Sequence, residues 1–204
     1  MAARDEEDAI ARAVESLRAQ FPDAEVIVAD DGSRDATAER AEAAGATVLR
    51  LPRRGKGQAL SAAERAAPPG SLLLVDADLS GDLTPLCVAQ RGLRVASFAR
   101  REGGGFGIAK RVARELIRLR AGVEVNEPLS GQRALDARAR ATVFPLAPGF
   151  GAETRMTIDA ARAGIEVHEI EVDLTHRATS RDLRGFVHRG RQLVDFARVY
   201  LARA

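Results

Sequence analysis

The chain has 204 residues, 46% hydrophobic and 29% charged, a mixture that supports one packed domain spanning 1–204 rather than a disordered segment. Its 31 Lys and Arg face 29 Asp and Glu, and the resulting net charge of +2 argues against a dedicated nucleic-acid-binding protein. The single cysteine, Cys87, excludes an intramolecular disulfide and a cysteine-based zinc site, and no apolar run approaches the ~20 residues of a membrane span.

Ala9, Ile10, Ala13, Val14 and Leu17 recur at helical spacing and predict a helix over 7–20. Residues 25–29 form a short apolar, β-branched run that ends in the turn Asp30-Asp31-Gly32-Ser33. A helix over 35–44 stops at Gly45, a strand covers 47–51, and a helix covers 57–66. Residues 72–75 then read as a third strand, and 93–98 as a fourth. Helices are expected over 106–121, 131–140 and 152–163, a strand over 165–174, and a long helix over 181–203. Strands and helices alternating at this spacing predict an α/β fold, a mostly parallel, doubly wound sheet flanked by helices. Residues 1–98 form its first half and 99–204 its second.

The chemistry concentrates where strands end. Leu72-Leu73-Leu74-Val75 runs directly into Asp76-Ala77-Asp78 and a turn. Open α/β sheets bind ligands at the carboxyl ends of their strands. Two carboxylates there can hold Mg²⁺ or Mn²⁺ against a diphosphate, whereas the plainer reading is a solvated turn rich in Asp. Asp31 stands at the equivalent end of the first apolar run and suits a base or ribose; Ser33 or Asp35 suits a helix cap. Arg53-Arg54-Gly55-Lys56-Gly57 opens a helix with two glycines and a lysine, which favours an anion or, failing that, a flexible turn. His176 closes the last predicted strand and is either a metal ligand or a surface residue beside Arg177 and Arg181.

Taken in order, Arg4-Asp5-Glu6-Glu7, Asp30-Asp31-Gly32-Ser33, Gly55-Lys56-Gly57 and Asp76-Ala77-Asp78 resemble the family 2 nucleotide-sugar glycosyltransferases of GT-A fold. Residues 100–105, Arg-Arg-Glu-Gly-Gly-Gly, and 128–134, Pro-Leu-Ser-Gly-Gln-Arg-Ala, are similar to segments of polyprenyl-phosphate sugar transferases. Gly149-Phe150-Gly151-Ala152-Glu153 looks like a donor-sugar segment also found in glucosyl-3-phosphoglycerate synthases. The resemblance implies transfer of a sugar from a UDP- or GDP-sugar to a phosphorylated metabolite or lipid phosphate, with Mg²⁺ or Mn²⁺. It implies that Asp31 contacts base or ribose, that Lys56 lies at the nucleotide, and that Asp76 lies near ribose or donor sugar. Asp78 and, as in some relatives, His176 would ligate the metal. Glu153 would contact sugar hydroxyls or serve as base for a hydroxyl acceptor. Arg133, with Arg100 or Arg101, would bind the acceptor phosphate.

Such relatives carry a longer apolar strand before Arg4, where this chain has only Met1, Ala2 and Ala3. That departure predicts a truncated first strand, unpaired neighbours, and a coding start upstream of Met1. A cytoplasmic enzyme is expected, with at most peripheral contact with a membrane's inner face; a homodimer is compatible with the sequence. Two alternatives compete: a non-catalytic nucleotide-binding domain, and a sugar-phosphate nucleotidyltransferase, whose usual Gly-rich N-terminal loop is absent.

Overall fold

A computed structural model describes residues 1–88, 91–98, 107–147 and 151–176. Among these, β1 (Ala2–Ala3), α1 (Ile10–Gln20), β2 (Ile27–Asp30), α2 (Thr37–Ala43) and β3 (Thr47–Arg50) open the chain. Next come α3 (Lys56–Ala66), β4 (Leu72–Leu74), β5 (Leu79–Gly81), α4 (Thr84–Cys87), β6 (Leu93–Phe98) and α5 (Gly107–Ala121). The described part ends with β7 (Arg133–Leu135), α6 (Ala137–Val143), α7 (Ala152–Arg162), β8 (Val167–Val172) and β9 (Leu174–His176). The helix expected over 181–203 lies outside the described residues.

Two ladders make the main sheet. One is parallel in the order β1-β2-β3; the other runs β4-β7-β6-β8. A parallel bridge between Ala2 and Asp76 joins them, so the composite order is β3-β2-β1-β4-β7-β6-β8. In it β7 alone is antiparallel, to both β4 and β6. The expected mostly parallel sheet is therefore present. β5 and β9 form a separate antiparallel ribbon at its edge.

Strand periodicity sets the two faces. On β2, Val28 turns toward Ile10, Val14 and Leu17 of α1, while Ile27 and Ala29 turn toward Ala59 and Ala63 of α3. Further along, Leu74, Leu93, Val95 and Leu135 pack against Ala139, Val143 and Met156 of α6 and α7. The sheet is thus covered on both sides, and each fully buried Ile, Val or Leu contributes about 1.5–3 kcal/mol.

The expected helix over 131–140 is replaced by β7 and α6. Residues Arg133, Ala134 and Leu135 fill the place between β4 and β6, and Asp136 then caps α6 by accepting from Ala139 N at 2.7 Å. Period-3.6 reasoning could not see a three-residue strand whose first residue is arginine. The short first strand is as expected: Ala2 and Ala3 pair with Ala29 and Asp30, and Met1 N donates to Ile27 O at 2.7 Å. Between the amino-terminal halves of β2 and β4 lies a cavity of about 360 Å³, lined by Met1, Val26, Leu60, Leu72 and Leu74 among others. No described helix is long and apolar enough to cross a membrane.

Candidate active site

The site forms where the carboxyl ends of β1, β2 and β4 meet the amino ends of α3 and α7. Lys56, the first residue of α3, places Nζ 2.7 Å from Asp76 Oδ1 and 2.8 Å from Glu153 Oε1. The three residues come from distant parts of the chain. Gly57 makes the approach possible: a Cβ there would lie 2.1 Å from Ala147 O and 3.6 Å from the Ala152 side chain. Leu146 N also donates to Ser61 Oγ at 2.9 Å, which ties α3 to the segment leading into α7. Glu153 sits in the first turn of α7, where the helix dipole favours a carboxylate.

Burial works to lower the Lys56 pKa, but Asp76 and Glu153 outweigh it and hold the ammonium above its ordinary range. The lysine is therefore a fixed positive charge between two carboxylates.

Asp78 lies two residues beyond Asp76 in the turn before β5. The antiparallel register of β5 and β9 pairs Leu79 with His176. Paired residues in such a ladder stand about 4.5–5.5 Å apart at Cα, so the backbone of His176 is next to that of Asp78. Glu6 also faces this corner. Its pKa is raised by burial first, and then by the negative charges of Asp78, Asp35, Asp76 and Asp5. The region therefore accumulates negative charge that a divalent cation would relieve, and its carboxylate oxygens suit Mg²⁺ or Mn²⁺. Among described residues no group of three or more ligands is assembled for a metal.

Asp31 was expected to contact the base or ribose. Its carboxylate is buried and accepts the backbone N–H of Arg54 at 2.6 Å and of Gly55 at 2.9 Å. It braces the basic loop that precedes Lys56. Asp30 accepts from Ser33 N at 3.2 Å, and Asp35 accepts from Thr37 N at 3.0 Å; the N-cap position of α2 is Ala36, so neither Ser33 nor Asp35 occupies the expected cap, although Asp35 satisfies the first backbone N–H of the helix. Ser33 Oγ accepts from Asp5 N and Thr37 Oγ1 from Glu6 N, lacing residues 5–6 to the turn after β2.

Arg133 requires a correction. It was expected on an acceptor phosphate, but it is fully buried. Its guanidinium donates to Ser130 O at 2.8 Å, Pro128 O at 2.9 Å and Thr157 Oγ1 at 2.8 Å. Burial pushes its pKa down to about 10, partly countered by Glu153, Asp76 and Glu169, and it remains charged at neutral pH. A guanidinium so enclosed has no face left for a substrate. Arg100, Arg101, Gly149 and Phe150 lie outside the described residues.

Sequence reasoning missed Gln132. Its Nε2 donates to Asp76 Oδ2 at 3.0 Å, and Ser130 Oγ donates to its Oε1 at 3.1 Å. Its position directly before Arg133, in Ser-Gly-Gln-Arg, was the available signal.

The sequence model of Glycosyl transferase family 2 matches residues 1–81. A glucosyl-3-phosphoglycerate synthase of Mycolicibacterium smegmatis is 31% identical, over 96% of this chain and 71% of its own length. The synthase of Mycolicibacterium paratuberculosis is 34% identical over 77% of this chain; the alignment spans 57% of that relative. The chain thus spans little more than half the length of some curated relatives it matches. A crystal structure of the Mycobacterium tuberculosis synthase superposes with a TM-score of 0.75 and 27% identity, covering 100% of this chain and 80% of that one. The same enzyme solved with Mn²⁺, UDP-glucose and phosphoglyceric acid gives a TM-score of 0.72 at 26% identity, over 100% of this chain and 79% of that one. Fold, strand-end carboxylates and these likenesses agree, and the chain belongs to the family 2 glycosyltransferases with their GT-A fold.

Proposed function

We propose that the chain is a metal-dependent hexosyltransferase. It moves a sugar from a UDP- or GDP-linked donor to a phosphate-bearing acceptor. The observation that carries this reading is the Lys56 ammonium held between Asp76 and Glu153 at the carboxyl edge of the sheet, beside Asp78. The similar synthases solved with Mn²⁺, UDP-glucose and phosphoglyceric acid make UDP-glucose the first donor to try and a small phosphorylated acid the first acceptor. A polyprenyl phosphate is the second acceptor class.

Asp78 and His176 would hold Mg²⁺ or Mn²⁺. When bound, the ion supplies positive charge to the departing nucleoside diphosphate. Lys56 supplies the second positive charge, donating to the diphosphate after releasing its carboxylates. Asp76 and Glu153, freed from the lysine, accept hydrogen bonds from the donor sugar or ribose. A phosphate acceptor is already ionised and needs little base catalysis; for a hydroxyl acceptor Glu153 is the base. Arg133 is replaced in the acceptor role by the Arg100-Arg101 segment, which carries guanidinium groups beside three glycines.

A thermal-shift panel of UDP, GDP, UDP-glucose and GDP-mannose, each with and without Mn²⁺, tests the reading. Ligands that bind only the native state raise the melting temperature. A shift that needs both nucleotide and Mn²⁺, and that disappears in Asp78→Ala, supports it. Shifts that are independent of the ion, or absent for every nucleotide, overturn it.

A further inference from the structure

We propose that Gln132 is a positioning residue of the donor site and acts through Asp76. The inference rests on the donor-binding reading of that site and extends it to a side chain that would not touch the donor itself. Asp76 is gripped from two directions. Lys56 holds Oδ1 at 2.7 Å, and the Gln132 amide holds Oδ2 at 3.0 Å. The two grips differ in permanence. Lys56 is the group that must leave when a diphosphate arrives. Gln132 is fully buried, and its own oxygen is engaged by the buried Ser130 hydroxyl at 3.1 Å, so its amide cannot turn away.

The floor beneath the carboxylate is equally fixed. A Cβ on Gly131 would fall 2.2 Å from Asp76 Oδ2 and 2.6 Å from Oδ1. The backbone of Gly131 therefore packs directly against the carboxylate, with no room for a side chain between them. The Pro128–Ser130 segment is in turn held by Arg133 through the two carbonyls described above. A buried Arg, a locked Gln and a glycine without room for a methyl thus form one support whose exposed end is Asp76. With Lys56 transferred to the diphosphate, Gln132 keeps Asp76 aimed at the donor, when two carboxylates, Asp76 and Glu153, would otherwise repel across the vacated position.

A double-mutant cycle tests this. Affinity for UDP-glucose with Mn²⁺ is measured by calorimetry in the wild type, Gln132→Leu, Asp76→Ala and the double variant. One charge-assisted hydrogen bond corresponds to a loss of about tenfold or more in affinity, so Gln132→Leu should weaken binding by about that factor. The effect should vanish in the Asp76→Ala background, because the two residues act as one unit. Ser130→Ala, which releases Gln132 without removing it, should give a smaller loss with the same dependence on Asp76, and it serves if Gln132→Leu fails to fold. In turnover, Gln132→Leu should raise KM for donor and leave KM for acceptor unchanged. Additive losses, or wild-type affinity in a folded Gln132→Leu, overturn the proposal. The same cycle run on the melting temperature of ligand-free protein separates the two readings. If wild-type protein binds no sugar nucleotide, the donor reading fails, and non-additive melting shifts still support the Gln132–Asp76 coupling while additive ones overturn it.

Discussion

Replacing Arg133 by Met should damage the fold, not acceptor recognition. The side chain is fully buried and makes three hydrogen bonds of 2.8–2.9 Å to Ser130 O, Thr157 Oγ1 and Pro128 O. Met matches the aliphatic part but leaves two carbonyls unpaired in a dry interior, at about 1–3 kcal/mol each. It also removes the positive charge that faces Glu153 and Asp76. Loss of one partner in a buried charged network costs about 3–5 kcal/mol. For a chain of this size each kcal/mol shifts melting by about 2–4 °C, so Arg133→Met should melt roughly 6–20 °C lower. The assay pairs a melting curve with two rates, donor hydrolysis in water and transfer to acceptor. Both rates should fall together, keeping their ratio. Unchanged melting with selective loss of transfer would refute this and return Arg133 to the acceptor site.

Gly131→Ala should abolish detectable donor binding while circular dichroism stays native, since the atoms nearest the new methyl are those of the Asp76 carboxylate; retained UDP-glucose affinity would contradict the geometry. His176→Ala should lose most of the Mn²⁺-dependent thermal shift produced by nucleotide, because the β5–β9 register sets its backbone beside Asp78; an undiminished shift would remove it from the metal site. Glu6→Gln gives a pH test. The Glu6 pKa is raised in the fold, so its favourable contribution belongs to the protonated form and is lost as pH rises through that raised value. The Gln variant should therefore melt higher than wild type at neutral pH and equally with it below the ordinary carboxyl value of 4.5. Lower melting at neutral pH would show that the surrounding carboxylates do not oppose the Glu6 charge.

The parts of this protein legible in its sequence are those where one residue pattern has one physical meaning. Leu72–Val75 followed by Asp76 and Asp78 is such a case: a buried run can stop at carboxylates only where the sheet meets solvent. Lys56 behind a glycine at the start of a helix is another. The edges were legible because Gly, Asp and Ser punctuate them. Buried polar residues were not legible. Arg133 and Gln132 look like surface residues in a one-dimensional pattern, so the segment was read as a helix, while the family resemblance put Arg133 on an acceptor phosphate. Only the closing of β7 between β4 and β6 gives them interior partners. The loop-bracing contacts of Asp31 were hidden for a related reason, since the backbone amides that donate to it come from a loop more than twenty residues away. The meeting of Lys56 with Glu153 depends on the fit of Gly57 under Ala147, a contact that no local signal announces.

The central claim is sugar transfer by this strand-end site. Its most direct test is mass spectrometry of reactions containing UDP-glucose, a phosphoglycerate and Mn²⁺. The account predicts a glycosylated phospho-acceptor together with free UDP, absent when the ion is chelated and absent in Asp78→Ala. If the wild type with Mn²⁺ leaves UDP-glucose and GDP-mannose intact against both phosphoglycerate and polyprenyl phosphate, the account is contradicted.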